Sequence, residues 1–171
     1  AATRRSKGDM IGSLVGSVRD LIEDRAPLAE IIRVATAQHV TEIFGADGVS
    51  PLQDPIVLIN IAMRATAYSS EELRVASHDW HTEALGGYRS LYLALQHLGG
   101  LEMRSPYTID DFALVMAALA EGFTLQAIQG STHPVVQVPD ADGVPREWTL
   151  FGRAVIGLVE QFMQPVAGAG S

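Results

Sequence analysis

Residues Thr108–Gly130, TIDDFALVMAALAEGFTLQAIQG, read as one complete helix with a start, a stop and two apolar faces. Thr108 is placed to cap the N-terminus, and Asp111, three residues on, to close a capping box. Asp110 and Asp111 sit where the helix dipole favours negative charge, and Gly130 is the expected stop. Phe112, Met116, Leu119 and Phe123 recur at helical spacing and form a bulky stripe. Ala113, Ala117, Ala120 and Thr124 form a second stripe of small residues beside it. Such a helix can serve two neighbours at once, its own core on one side and a closely packed partner helix on the other.

The flanking sequence extends the same pattern. Asp9–Asp24 places Ile11, Leu14, Val15, Val18, Leu21 and Ile22 on one face, with Gly8, Gly12 and Gly16 at a spacing that suits close helix contact. Pro27 suits a first helical turn, so a second helix is expected from Pro27 to Phe44, stopped by Gly45. After the turn-rich GADGVSPLQD, Asp54 and Pro55 open a third helix to Tyr68. That helix is apolar nearly all round and is expected to be central and buried. Ser69 and Glu72 suggest a second capping box for a long helix ending near Leu98, before Gly99 and Gly100. Gly86 and Gly87 in its middle cost roughly 1 kcal/mol each relative to alanine, which predicts a kink or close contact there. Between Gly130 and Arg146, Pro134, Pro139 and Pro145 exclude a helix. VVQV is long enough to pair as a strand, although an isolated hairpin is marginal. A last helix is expected from Glu147 to Gln164, with Trp148, Phe151, Val155, Leu158, Val159 and Phe162 on its apolar face. The expected fold is all-α, a bundle of about six helices without internal repeats. Residues 1–8 form a basic tail or junction, 9–164 the helical domain and 165–171 a flexible tail.

Length and composition agree with one folded domain. The chain has 171 residues, of which 47% are hydrophobic and 19% charged. It contains no cysteine, so disulfide and thiolate chemistry are excluded. The net charge of -8 argues against direct nucleic-acid binding, because neutralising phosphates needs a basic surface. The exception is the AATRRSK start, where Arg4, Arg5 and Lys7 meet no acid. The dense apolar run Ile56–Ala67 is too short to span a bilayer and contains Arg64. No basic-then-apolar leader precedes the domain, so a cytoplasmic protein without membrane contact is expected.

Chemistry-bearing motifs are sparse. His78 and His81 share a helix face with Asp79 and Glu83 nearby, yet two ligands do not make a metal site and no second ligand pair is visible. Asp140-Ala141-Asp142-Gly143 resembles the start of a calcium loop, but the twelfth position is Phe151 instead of an acid, so a turn is the better reading. His39, His97 and His133 are scattered, and no nucleophile has a recognisable base partner. Neither an enzyme nor a cofactor is expected. What remains is an apolar pocket between helices, for which Met63, Trp80, His81, Tyr88, Tyr92, Phe112, Met116 and Phe123 are candidates. The competing reading is that these residues simply fill the core.

The helix order resembles the C-terminal regulatory domain of the tetracycline-repressor-like (TetR) family of bacterial transcription regulators. Three stretches carry the resemblance: APLAEIIRVATAQHV, YSSEELRVASHDWHTEALGGYRSLYLALQHLGGLE and DDFALVMAALAEGFTLQAI, the last with Leu119, Gly122 and Leu125 in a loose L-x-x-G-x-x-L rhythm. The resemblance implies a homodimer whose last two long helices form a four-helix bundle with those of the second copy. The implied interface is Ala113, Ala117, Ala120 and Thr124 with Phe151, Val155, Leu158 and Phe162. It also implies a small apolar or aromatic effector in the core, and operator DNA bound by an N-terminal helix-turn-helix that these residues do not contain. Lys7 resembles the lysine that meets a DNA phosphate at the end of such a head. Two other readings stand beside it: a helical enzyme or metal-binding protein using His78 and His81, or a stand-alone small-molecule-binding protein.

Overall fold

The computed structural model describes residues 18–44, 55–140 and 142–167. Expectations for the basic tail, Lys7, the glycines at 8, 12 and 16, and the cap at Asp54 lie outside the described residues. The described residues are mostly helical, at 69%, with a few short strands.

A helical run at 18–23 (α1) buries Val18 and ends at Arg25, which adopts a positive φ of 55°. Helix α2 spans Leu28–Phe44, and the carbonyl of Pro27 accepts from Glu30 and Ile31 at its start. Helix α3, Pro55–Thr66, runs into a 3-10 turn at Ala67–Ser69. Helix α4 spans Glu71–Leu98 without interruption. Its cap is Ser70, one residue later than expected: Ser70 Oγ accepts from the Leu73 N–H at 3.1 Å, while Ser69 Oγ donates to the Thr66 carbonyl. Gly86 produces neither a break nor a close approach, since a Cβ there would meet nothing within 4 Å.

Helix α5, Ile109–Ile128, begins as its sequence dictates. The Thr108 hydroxyl accepts from the Asp111 N–H at 3.2 Å, and Asp111 Oδ2 accepts from the Thr108 N–H at 2.8 Å. Among the described residues, α5 alone is long and apolar enough to cross a membrane. Within this fold its Ile109, Phe112, Ala113, Met116, Thr124 and Ala127 are buried.

Two small antiparallel sheets join the helices, and of their strands the sequence suggests only VVQV. Strands β1 (Leu101–Met103) and β4 (Met163–Pro165) pair, with Glu102 opposite Gln164. Strands β2 (Val135–Pro139) and β3 (Pro145–Thr149) form a hairpin, with Val136 opposite Trp148. Asp140 shapes its turn, Oδ1 accepting the Asp142 and Val144 N–H groups at 2.9 Å and Oδ2 accepting from Arg146 at 3.0 Å. Residues 147–149 therefore belong to a strand, and helix α6 spans Leu150–Phe162, capped by Thr149. Residues 163–166 are likewise tied down: β4 follows directly, and the Val166 N–H bonds the Gly100 carbonyl at 2.9 Å.

The core lies where α2, α5 and α6 meet. Ile32 and Val40 pack with Ile109, Phe112 and Met116, and with Trp148, Phe151, Val155, Ile156 and Phe162. Thr36 and Gly152 mark the closest approach of α2 and α6, for a Cβ at residue 152 would overlap Thr36 Oγ1. Helix α3 is not the central element that its apolar sequence suggested. It packs against α4 and the following turn, and Ile59 remains 56% exposed.

Candidate ligand cavity

An apolar void opens at one end of the bundle. Leu28 and Ile32 come from α2, Tyr92, Leu95 and Gln96 from α4, Phe112 and Met116 from α5, and Val155 and Val159 from α6; Leu101 and Met163 of the β1–β4 pair close it. Its volume is about 60 Å³. A second, more open void of about 230 Å³ adjoins it. It shares Leu28, Leu101, Val159 and Met163 and adds Arg104, Ile156, Glu160 and Pro165.

Aromatic contacts set the shape of the inner void. Tyr88 stacks on Tyr92 with centroids 6.2 Å apart, Tyr92 meets Phe112 edge-on at 5.2 Å, and Phe112 meets Phe162 at 5.8 Å. Such edge-to-face arrangements fix ring orientation as well as filling volume. Burial pushes the Tyr92 hydroxyl up from its ordinary value, and Tyr88 adds to the shift. Tyr92 therefore stays protonated and keeps an O–H donor. At the mouth of the outer void, Arg104 Nε donates to the Met163 carbonyl at 2.8 Å, and the Arg104 N–H donates to the Phe162 carbonyl at 2.8 Å. The Arg104 side chain thereby braces the strand that walls both voids.

Of the residues expected to line a pocket, Tyr92, Phe112 and Met116 do so together. Tyr88 stands behind Tyr92. Phe123 sits elsewhere, edge-on to His133 at 4.8 Å and to Phe151 at 5.7 Å. Met63 is half-buried on α3 and His81 half-buried on α4, and neither lines the voids. The expectation for the Trp80 side chain lies outside the described residues. His78 is exposed, and among the described residues no three acidic, histidine or cysteine side chains gather as a metal site would require. The lining residues missed from sequence, chiefly Leu28, Ile32, Leu101 and Met163, are ordinary apolar residues at element ends. They carry no signal until the fold brings both ends of the chain together.

The small-residue face expected to meet a second copy is turned inward. Ala113, Thr124, Phe151, Val155 and Phe162 are buried inside one chain, and Ala117, Ala120 and Leu158 are half-buried. Small side chains there allow α5 to approach its own neighbours. The outward face of α5 is instead Leu114, Ala118, Gly122 and Leu125, with Leu114 53% and Leu125 44% exposed.

The chain matches no family model, no curated protein and no solved structure. Its function is therefore argued from the cavity and the surfaces around it.

Two half-buried histidines lie at the other end of α6. His39 packs on Phe151 with ring centroids 5.3 Å apart, and burial pulls its pKa down, against the opposing pull of Glu42. His133 Nε2 accepts the Phe151 N–H at 3.1 Å, and burial lowers its pKa as well. Both rings thus favour the neutral form, and His133 must be neutral to accept that bond.

Proposed function

We propose that this chain is the effector-binding and dimerisation region of a regulator resembling the TetR family. The observation that carries the reading is that α5 and α6 each have two faces in use. Their inner faces wall the cavity through Phe112, Met116, Val155 and Val159. The outer face of α5 carries exposed small and apolar residues, Leu114, Ala118, Gly122 and Leu125, and that of α6 sets Leu150 and Gly157 among Arg153, Glu160 and Gln161. A ligand that favours one tilt of these helices shifts the surface that a second copy meets, which is a population shift between two arrangements. DNA contact belongs, in this proposal, to a helix-turn-helix outside these 171 residues. The acidic charge of -8 suits a sensing region that does not itself touch phosphates.

Sedimentation velocity at micromolar concentration tests the reading. The native chain is expected to run as a dimer, and Ala118→Glu, which places a charge in the middle of the outward face of α5, as a folded monomer. A monomeric native chain, or a dimer indifferent to Ala118→Glu, would remove the basis for this interface.

A further inference from the structure

Neither void alone reaches the size of a site for a drug-sized molecule. Such sites run from roughly 300 Å³ upward, whereas the inner void is about 60 Å³ and the outer one about 230 Å³. Four residues are common to both: Leu28, Leu101, Val159 and Met163. Side chains therefore form the partition between them. Met163, unbranched and with three rotatable bonds, is the one most easily swung aside.

We propose that the two voids are the tail and head compartments of a single site, and that its ligand is an uncharged amphipath. Its chemistry is a short alkyl chain bearing a head that both donates and accepts hydrogen bonds, as a primary carboxamide does. This rests on the ligand-binding reading above and adds the ligand's class.

The tail assignment follows from the lining. Apart from the Gln96 amide and the Tyr92 hydroxyl, the inner compartment offers only hydrocarbon and the Met116 and Met163 thioethers. A charge carried into it would lose its hydration without gaining a counter-charge.

The head assignment follows from charge. Arg104 and Glu160 both line the outer compartment, and among the described residues no other charged side chain does. A carboxylate head attracted by Arg104 would also face Glu160, and an ammonium attracted by Glu160 would face Arg104. A neutral head with a donor and an acceptor satisfies both residues and opposes neither. Arg104 is already partly engaged, since its Nε bonds the Met163 carbonyl. The chain's net charge of -8 further disfavours an anionic ligand.

Calorimetric titration of the full chain with butanamide, hexanamide, octanamide, octanoate and octylammonium tests this. Affinity should rise by up to about fourfold for each methylene that enters the inner compartment. Octanamide should bind about tenfold more tightly than either charged probe, a difference equivalent to about 1.4 kcal/mol. Glu160→Gln, an exposed and conservative change, should close most of the gap between octanamide and octanoate by strengthening octanoate. Octanoate or octylammonium binding as tightly as octanamide to the native chain would overturn the uncharged head while leaving a ligand site in place. Affinity independent of chain length would overturn the joining of the two compartments. Failure of every probe to bind at millimolar concentration would overturn this inference and the ligand-binding reading together.

Discussion

Gly152→Ala places a single methyl where α2 and α6 come closest. The new Cβ would overlap Thr36 Oγ1 and lie 3.0 Å from Thr149 Oγ1 and 3.3 Å from Trp148 Cε3. None of these neighbours is loose. Thr36 Oγ1 donates to the Ile32 carbonyl at 2.7 Å and contacts the Arg33 carbonyl at 3.2 Å. Thr149 Oγ1 is the N-cap acceptor for the Gly152 N–H itself, at 2.9 Å. Trp148 is buried, with the Arg153 guanidinium 5.2 Å from its ring centroid. Relief must come from moving one helix away from the other, and overpacking of this kind costs about 1–3 kcal/mol. The opposing gain in helix propensity is at most about 1 kcal/mol, and the third helical position realises little of it. The variant should therefore be destabilised by about 1–3 kcal/mol in urea unfolding, with a melting temperature lowered by roughly 2–10 °C. Thr36→Ala removes the overlapping oxygen. The double variant should recover at least about 1 kcal/mol relative to the sum of the single changes, because the two residues touch. Additivity within about 0.5 kcal/mol would refute the argument that Thr36 is the obstacle.

Two further outcomes follow from local chemistry. Thr108→Ala removes the side chain that caps α5 and should cost about 1 kcal/mol, or about 2–4 °C in melting temperature; Thr108→Ser should retain most of that stability, and equal damage from both changes would contradict the capping role. Because burial lowers the pKa of His39 and His133 from the unfolded value of 6.5, the unfolded chain binds more protons as pH falls below it. The stability that the neutral rings provide is thus complete above about pH 6.5 and is lost as pH falls through their folded values. Urea midpoints should decline from pH 7.5 to pH 5, and His133→Gln, which keeps an acceptor for the Phe151 N–H, should flatten the decline; an unchanged slope would exclude His133 as a contributor.

The elements legible in the sequence were those defined by neighbours in sequence. Thr108 and Asp111 lie three residues apart and announce the start of α5 without help from the rest of the fold. Which face of α5 turns inward was not legible, because alanine spacing marks close approach without saying to what. Ala113 and Thr124 approach the chain's own core, while Leu114 and Leu125 face out. Helix α3 fails for a related reason: an apolar circumference describes what a helix would tolerate, and the position of α3 beside α4 decides what it receives. The hairpin was half visible in VVQV, but its partner strand, PREWT, carries charge, and its last three residues read as the start of α6. The pairing of the two strands, with Val136 opposite Trp148 and Gln137 opposite Glu147, is what separates them. The β1–β4 pair joins three residues to three others far away in sequence, which no local pattern encodes. Since that pair walls the cavity, the site was legible only through Tyr92, Phe112 and Met116.

The walls contributed by Leu28 and Met163 have a consequence for synthesis. Leu28 stands near the beginning of the described chain and Met163 near its end. Translation at roughly 5–20 residues per second separates their appearance by on the order of ten seconds. During that interval α2, and later α4, leave the ribosome without the strand that seals them, so Leu28, Ile32 and, once made, Leu95 remain open to water or to a chaperone. A premature stop shortly before Met163 would yield a chain that keeps most of its helices and loses its site, with fresh hydrocarbon exposed to the quality-control machinery.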